Sequence, residues 1–208
     1  MAIKAILFDT EMVRAILEGR KSCTRKIVKP QQLIGMLPDK CKNGAPEKFL
    51  KEKKLMFKPY CDMTDIELIN TAYKAPYQLG DILYVRETWK KALNGYYYYE
   101  DWQRNDIADV TKWKPSIRMP KEAARIWLKV TDVRVERLQE ISAESALAEG
   151  ADKYIHTNGG LDENMTITSF IGIWNSTIKK SDIDRYGWDA NPYVWIIEFE
   201  RCEKPEGV

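Results

Sequence analysis

Histidine is nearly absent: His156 is the single one in 208 residues. The four cysteines, Cys23, Cys41, Cys61 and Cys202, are scattered, with no CxxC pair. Such a sparse ligand set argues against a structural zinc site, and no metal or other cofactor is expected. HExxH and a glycine-rich phosphate loop are both missing, so zinc-protease and nucleotide-fold readings lose their basis. No internal repeat is visible. A large net charge is missing too. The balance of 33 Lys and Arg against 31 Asp and Glu gives +2. That argues against wholesale coating of DNA and leaves room for a local basic cleft.

Long apolar runs are also lacking. The opening MAIKAILFDTEM is broken by Asp9 and Glu11, too early for a signal peptide or a membrane span. The expectation is a chain with no membrane contact, in the cytoplasm, with free thiols.

What is present is a soluble composition, 44% hydrophobic and 31% charged. A chain of this length can bury a core without disulfides, and residues 1–208 read as one domain. Ile3 to Phe8 reads as a buried strand. Thr10 offers an N-cap hydroxyl and Glu11 a negative charge at the helix start. Met12, Val13, Ile16 and Leu17 share one helical face, and Gly19 suits the C-cap. From about 30 to 76 the pattern changes to a lysine-rich stretch with little apolar periodicity, which reads as a surface insertion. A solvated basic loop is its plain interpretation; a phosphate-contacting flap is the functional one.

Order returns at Gln78-Leu79-Gly80-Asp81, a turn, followed by a strand over Ile82 to Trp89. Asn94-Gly95 predicts a turn into a short strand at Tyr96 to Tyr99. Trp113 to Pro120 reads as extended, with a short helical turn from Pro120 to Arg125. Ile126 to Leu138 alternates around a bulge near Thr131-Asp132. Ser142 caps a helix ending at Gly150, Thr168 to Ile178 is an amphipathic helix, and Tyr193 to Phe199 is the last strand. Strands separated by short helices, without a βαβ rhythm, predict an α+β chain, a small mixed barrel in preference to a doubly wound sheet.

Two places carry candidate chemistry. The helix exit Gly19-Arg20-Lys21-Ser22-Cys23-Thr24-Arg25 delivers basic groups and hydroxyls together. Glu87 lies in an otherwise apolar strand, where a carboxylate is costly unless paired. Lys21 or Arg25 is the expected partner.

Phe8 to Arg25 resembles the opening signature of the ASCH domain family, and Gly80-Asp81 with Val85-Arg86-Glu87-Thr88-Trp89 resembles its second. The segments Pro115 to Pro120, Val130 to Leu138 and Trp188 to Glu200 resemble a version found in phage and prophage genomes. The resemblance implies a PUA-like mixed β-barrel with short flanking helices and a cleft for RNA or modified nucleosides. One branch of the family removes the acetyl group of N4-acetylcytidine, with a lysine, a threonine three residues later and a distant glutamate. Those positions match Lys21, Thr24 and Glu87.

Amide cleavage needs a nucleophile, a proton acceptor and oxyanion stabilisation. Thr24 could attack once a base takes its proton. Lys21 is that base only if burial lowers its pKa, and a charged Glu87 beside it works against this. Two assignments stay open: Lys21 as base with Glu87 positioning the amide, or Glu87 as proton acceptor with Lys21 stabilising negative charge.

Around this set, Arg25 suits a phosphate or a surface acid. Trp89 suits base stacking or cleft-wall packing. Ser116 and Arg118, between two prolines, are candidates to line the same cleft. The tyrosines at 96–99, and Trp188 and Trp195, read as half-buried or core residues. His156 lies in a polar loop with Asn158-Gly159-Gly160 and reads as solvated. Three functions are compatible with these features: an amidohydrolase on a modified nucleoside or RNA, a non-catalytic RNA or DNA binding module, and a phage accessory protein that meets a protein partner. The fold alone cannot separate them.

Overall fold

The computed structural model describes residues 1–29, 65–104, 112–151 and 163–207. His156, Cys41, Cys61 and the insertion residues 30–64 lie outside the described residues.

The chain opens with β1 (Ile3–Leu7), α1 (Thr10–Leu17) and β2 (Cys23–Ile27). The cap of α1 is Asp9, not Thr10. The Asp9 carboxylate accepts from Met12 N at 2.8 Å, and a carboxylate there also suits the helix dipole. Gly19, at φ +75°, ends the helix as expected, and Ala15 O accepts from both Arg20 N and Lys21 N.

Next comes α2 (Asp65–Ala72), the end of the stretch that read as a surface insertion. Ile69 is fully buried, and Tyr73 and Ala75 join the main core. A stretch crowded with charge therefore ends in a core element, docked by Ile69 of the helix and by Tyr73 and Ala75 just beyond it.

β3 (Ile82–Arg86) is shorter than its apolar run suggests. The strand breaks at Glu87-Thr88, and β4 (Trp89–Ala92) starts a separate hairpin with β5 (Gly95–Tyr98). The hairpin is expected, but its two-residue turn is Leu93-Asn94, one position before Asn94-Gly95, and Gly95 already pairs with Ala92. α3 (Tyr99–Arg104) follows. The segment read as extended holds a one-turn 3-10 helix at Ser116–Arg118, with a second at Lys121–Ala123 after Pro120. β6 (Trp127–Arg137) carries the expected bulge, a register shift between Val130 and Asp132. α4 (Ala143–Ala148) has Ser142 as its cap. α5 (Glu163–Thr177) buries Phe170 and Trp174. α6 (Ile183–Tyr186) leads to β7 (Tyr193–Cys202).

β1, β3, β6, β7 and β2 form one sheet in that order, with β1 parallel to β3 and the other pairs antiparallel. The fold is α+β and the sheet is mixed, as expected. It is not a closed barrel: β1 and β2 are its two edges and do not pair. One face packs Phe8, Val85, Val130, Ile197 and Phe199 into the main core. The other face of β7, through Val194 and Ile196, packs against Phe170 and Trp174 of α5. Alternation along β7 thus feeds two cores. Helix α1 connects the two edge strands, so whatever follows α1 is delivered to the open seam.

Candidate functional site

Lys21 stands between α1 and β2. Its backbone N donates to Ala15 O, and Ser22 is held by Ala148 O on one side and Phe199 N on the other. The end of α4 passes beside it. Gly150 has φ +89°, and a Cβ there would meet Ala15 Cβ at 3.3 Å and Lys21 Cβ at 3.9 Å, so glycine allows the approach. The approach sets Glu149 on Lys21. Lys21 Nζ donates to Glu149 Oε2 at 2.9 Å, Glu149 O at 2.8 Å and Cys23 O at 2.8 Å. All three ammonium protons therefore have acceptors. The Lys21 side chain is 0% exposed.

Arg25 meets the same carboxylate: its guanidinium donates to Glu149 Oε1 at 3.2 Å and to Ser145 Oγ at 2.7 Å. The Phe170 ring lies 5.6 Å from it and the Phe8 ring 5.4 Å from Lys21 Nζ. Thr24, on the intervening position of β2, is buried, and its hydroxyl makes no hydrogen bond among the described residues. Cys23 is buried as well. Burial, with Glu149 adding to it, pushes its thiol up to about 12, while Arg25 and Lys21 oppose the shift. It is an inert packing group. Burial also lowers the Lys26 amine from its usual value; Glu149 counters this and Lys21 adds to it.

Thr24, Arg25, Lys26 and Glu149 line a cavity of about 360 Å³ at the open seam, with Phe8 and Trp174 among its walls. The size falls in the range of small-molecule sites. The pairing of β2 with β7 adds peptide groups to it. Ser22 and Val28 bond to β7, so by antiparallel alternation Arg25 and Ile27 turn their N–H and C=O groups to the open edge. The cavity thus offers donors, acceptors, aromatic faces, two cations in Arg25 and Lys26, and two carboxylates in Asp9 and Glu149.

Glu87 is elsewhere. Its expected partner was Lys21 or Arg25; its partner is Arg125, which donates Nε to Oε1 and Nη2 to Oε2, both at 2.9 Å. Arg125 also grips Asp101 at 2.7 and 2.8 Å and stacks 4.1 Å from the Tyr98 ring. Burial raises the Glu87 carboxyl above its usual value, and Arg125 opposes the rise. The end of β3 at Arg86 makes this possible, since a residue leaving a strand can turn towards the following loop.

Trp89 is buried with Met119 and Trp127 under the hairpin, with the Lys114 amine 4.9 Å from its ring. Ser116 is half-buried and Arg118 exposed on their 3-10 turn. Neither they nor Glu87 and Trp89 line the seam cavity. The residue that the sequence reading missed is Glu149. Its signal was a carboxylate at the C-terminus of a helix, where the dipole disfavours negative charge and cations must compensate.

Fold and site together define an α+β protein with an open mixed sheet and a charged, aromatic-walled pocket at its seam. Among the described residues, no group of His, Cys, Asp and Glu is placed to hold a metal ion, and no helix is long and apolar enough to cross a membrane. No protein-family model matches the chain, and no curated protein matches it. Among solved structures, the ASCH domain from Lactobacillus crispatus JV V101 aligns over 96% of this chain and 79% of its own, with a TM-score of 0.41 and 11% identity. At that level the likeness assigns neither an activity nor a residue's role.

Proposed function

We propose that the seam pocket hydrolyses the acyl group of a modified nucleoside, with N4-acetylcytidine as the test substrate, and that Glu149 is its working carboxylate. The observation that carries this reading is the shared grip of Lys21 and Arg25 on Glu149, beside the unbonded Thr24 hydroxyl. The ASCH-type assignment, its phage variant, a nucleoside or RNA partner and a cytoplasmic setting belong to the same proposal.

Of the two assignments open from sequence, the hydrogen bonds favour the carboxylate as proton acceptor. A Lys21 amine with three oxygen acceptors has no lone pair to offer a proton. Because its side chain is enclosed, Lys21 acts through Glu149 as a positioning residue. Thr24 makes no hydrogen bond to Glu149, so water is the favoured nucleophile. Glu149 takes a proton from that water, the water oxygen bonds to the acyl carbon, and Arg25 faces the developing oxyanion. The proton passes to the exocyclic nitrogen as the C–N bond breaks, releasing acetate and cytidine. Thr24 Oγ and the β2 edge peptides hydrogen-bond the substrate, and the aromatic walls stack the base.

The test is incubation of the full chain with N4-acetylcytidine, following cytidine by chromatography. Turnover by the intact chain that is lost in Glu149→Gln supports the proposal. Tight binding without turnover favours a non-catalytic nucleic-acid module instead. Loss of neither binding nor turnover in Glu149→Gln overturns the assignment.

A further inference from the structure

Lys26 lines a second, adjoining cavity of about 270 Å³ as well as the seam pocket. Two more amines, Lys29 and Lys74, line the second cavity, and among the described residues no carboxylate does. They come from separate places: Lys26 from β2, Lys29 from just beyond it, and Lys74 from just beyond α2. The Lys26 side chain is half-buried and makes no hydrogen bond or ion pair among the described residues. Glu149, which lines the seam pocket and not this cavity, acts on Lys26 electrostatically. Within the cavity itself three amines repel each other, and an anion bound there relieves that repulsion.

The walls are fixed. Tyr77 donates its hydroxyl to Ala5 O at 3.0 Å, tying the cavity to the β1 edge. Trp195 lies opposite Lys26 in the strand register and is buried. Lys29 Nζ is held 5.1 Å from the Tyr186 ring. Sharing Lys26 and Ile27, the two cavities are neighbours on one edge strand.

We infer that Lys26, Lys29 and Lys74 bind a phosphate of the ligand whose base enters the seam pocket, so that the ligand is a nucleotide, free or within a strand, and not a bare nucleoside. This inference rests on the reading of the seam pocket as a nucleobase site. Apolar and aromatic surface takes the base, and the amines take the phosphate, which is the division of labour usual in nucleic-acid recognition.

The test is calorimetric titration of the full chain with cytidine, cytidine 5′-monophosphate, cytidine 3′-monophosphate and a short oligocytidylate, at about 50 and about 200 mM salt. A phosphate-bearing probe is expected to bind about tenfold or more tightly than cytidine at the lower salt, with the advantage shrinking at the higher. Preference for a monophosphate identifies a free nucleotide, and preference for the oligonucleotide identifies a strand. The double variant Lys29→Gln/Lys74→Gln should erase the advantage and leave cytidine binding unchanged. Equal affinity for all probes, an advantage that survives the double variant, or no binding of any probe at millimolar concentration overturns the inference. Phosphate preference without deacetylation would sink the hydrolase reading alone. Deacetylation without phosphate preference would sink the phosphate site alone.

Discussion

Lys21 and Glu149 are 128 residues apart in the chain and 2.9 Å apart in the fold. The pair is enclosed, and Arg25 completes a buried two-cation, one-anion group. Removing the carboxylate leaves two buried cations facing each other, so Glu149→Ala is expected to cost about 3–5 kcal/mol of stability. Glu149→Gln keeps the shape and an acceptor oxygen, and should stay folded. It is expected to lower kcat for N4-acetylcytidine by about 10²- to 10⁴-fold, the usual worth of a general base. Glu87→Gln, at a residue that lines no part of the pocket, should leave kcat within a few fold. The reverse ranking would return the catalytic role to Glu87.

Lys21→Met tests the positioning role. It removes the cation and keeps the length of the side chain, leaving Glu149 paired with Arg25 alone. The expected result is a fall in kcat with KM little changed, since the Lys21 side chain lines no part of the cavity. Lys21→Arg, which restores a cation at this position, should recover part of the lost kcat. Equal loss of kcat in both variants, matched by an equal loss of thermal stability, would mean that Lys21 merely supports the fold.

Much of this architecture was legible in the sequence. The β6 bulge, the Ser142 cap and a hairpin close to Asn94 follow from local chemistry, and the structure has each of them. What failed depends on distant partners. Glu87 looked like an intruder in a single strand because Ile82 to Val85 before it and Trp89 after it read as one strand. Only Met119 and Arg125, brought in by the loop beyond, end the strand there and satisfy the carboxylate. Glu149 passed as an ordinary helix-end residue because its partners lie at the other end of the chain. Closure of the sheet could not be read either, since it depends on whether β1 and β2 meet, and α1 holds them apart across a pocket.

The Glu87–Arg125 pair makes a separate prediction about stability. Arg125→Met leaves Glu87 buried without its cation, which should cost about 3–5 kcal/mol at neutral pH. Burial, Asp101 and Glu100 then all raise the Glu87 carboxyl further. A carboxyl whose folded-state pKa lies above its unfolded value holds a proton more readily when folded. Its penalty is therefore absent at low pH and grows as pH rises through the window between the two values. Chemical denaturation from pH 4 to 8, roughly spanning that window, should show the variant's deficit increasing with pH. The double variant Glu87→Gln/Arg125→Met should recover part of the loss. A deficit independent of pH would place the cost in packing against Tyr98.

Asp81 should show the opposite sign. It is buried, which by itself raises its carboxyl, yet hydrogen bonds from Lys4, Ala2 and Gln78 hold it below its usual value. Lys4 Nζ is 2.6 Å from Oδ2, Ala2 N is 2.9 Å from Oδ1, and Gln78 N is 2.9 Å from Oδ2. These bonds clamp the start of β1 to the turn before β3. A depressed folded-state pKa contributes stability that is present above the unfolded value and is lost as pH falls through the folded one. Asp81→Asn should therefore cost about 1–3 kcal/mol at pH 7, and the gap to the parent protein should close only in acid, below the ordinary carboxylate range. Urea denaturation of both proteins at neutral and acid pH measures that difference. A gap of constant size down to about pH 2, below the ordinary carboxylate value, would mean that the clamp works through the shape of the turn and not through the charge of Asp81.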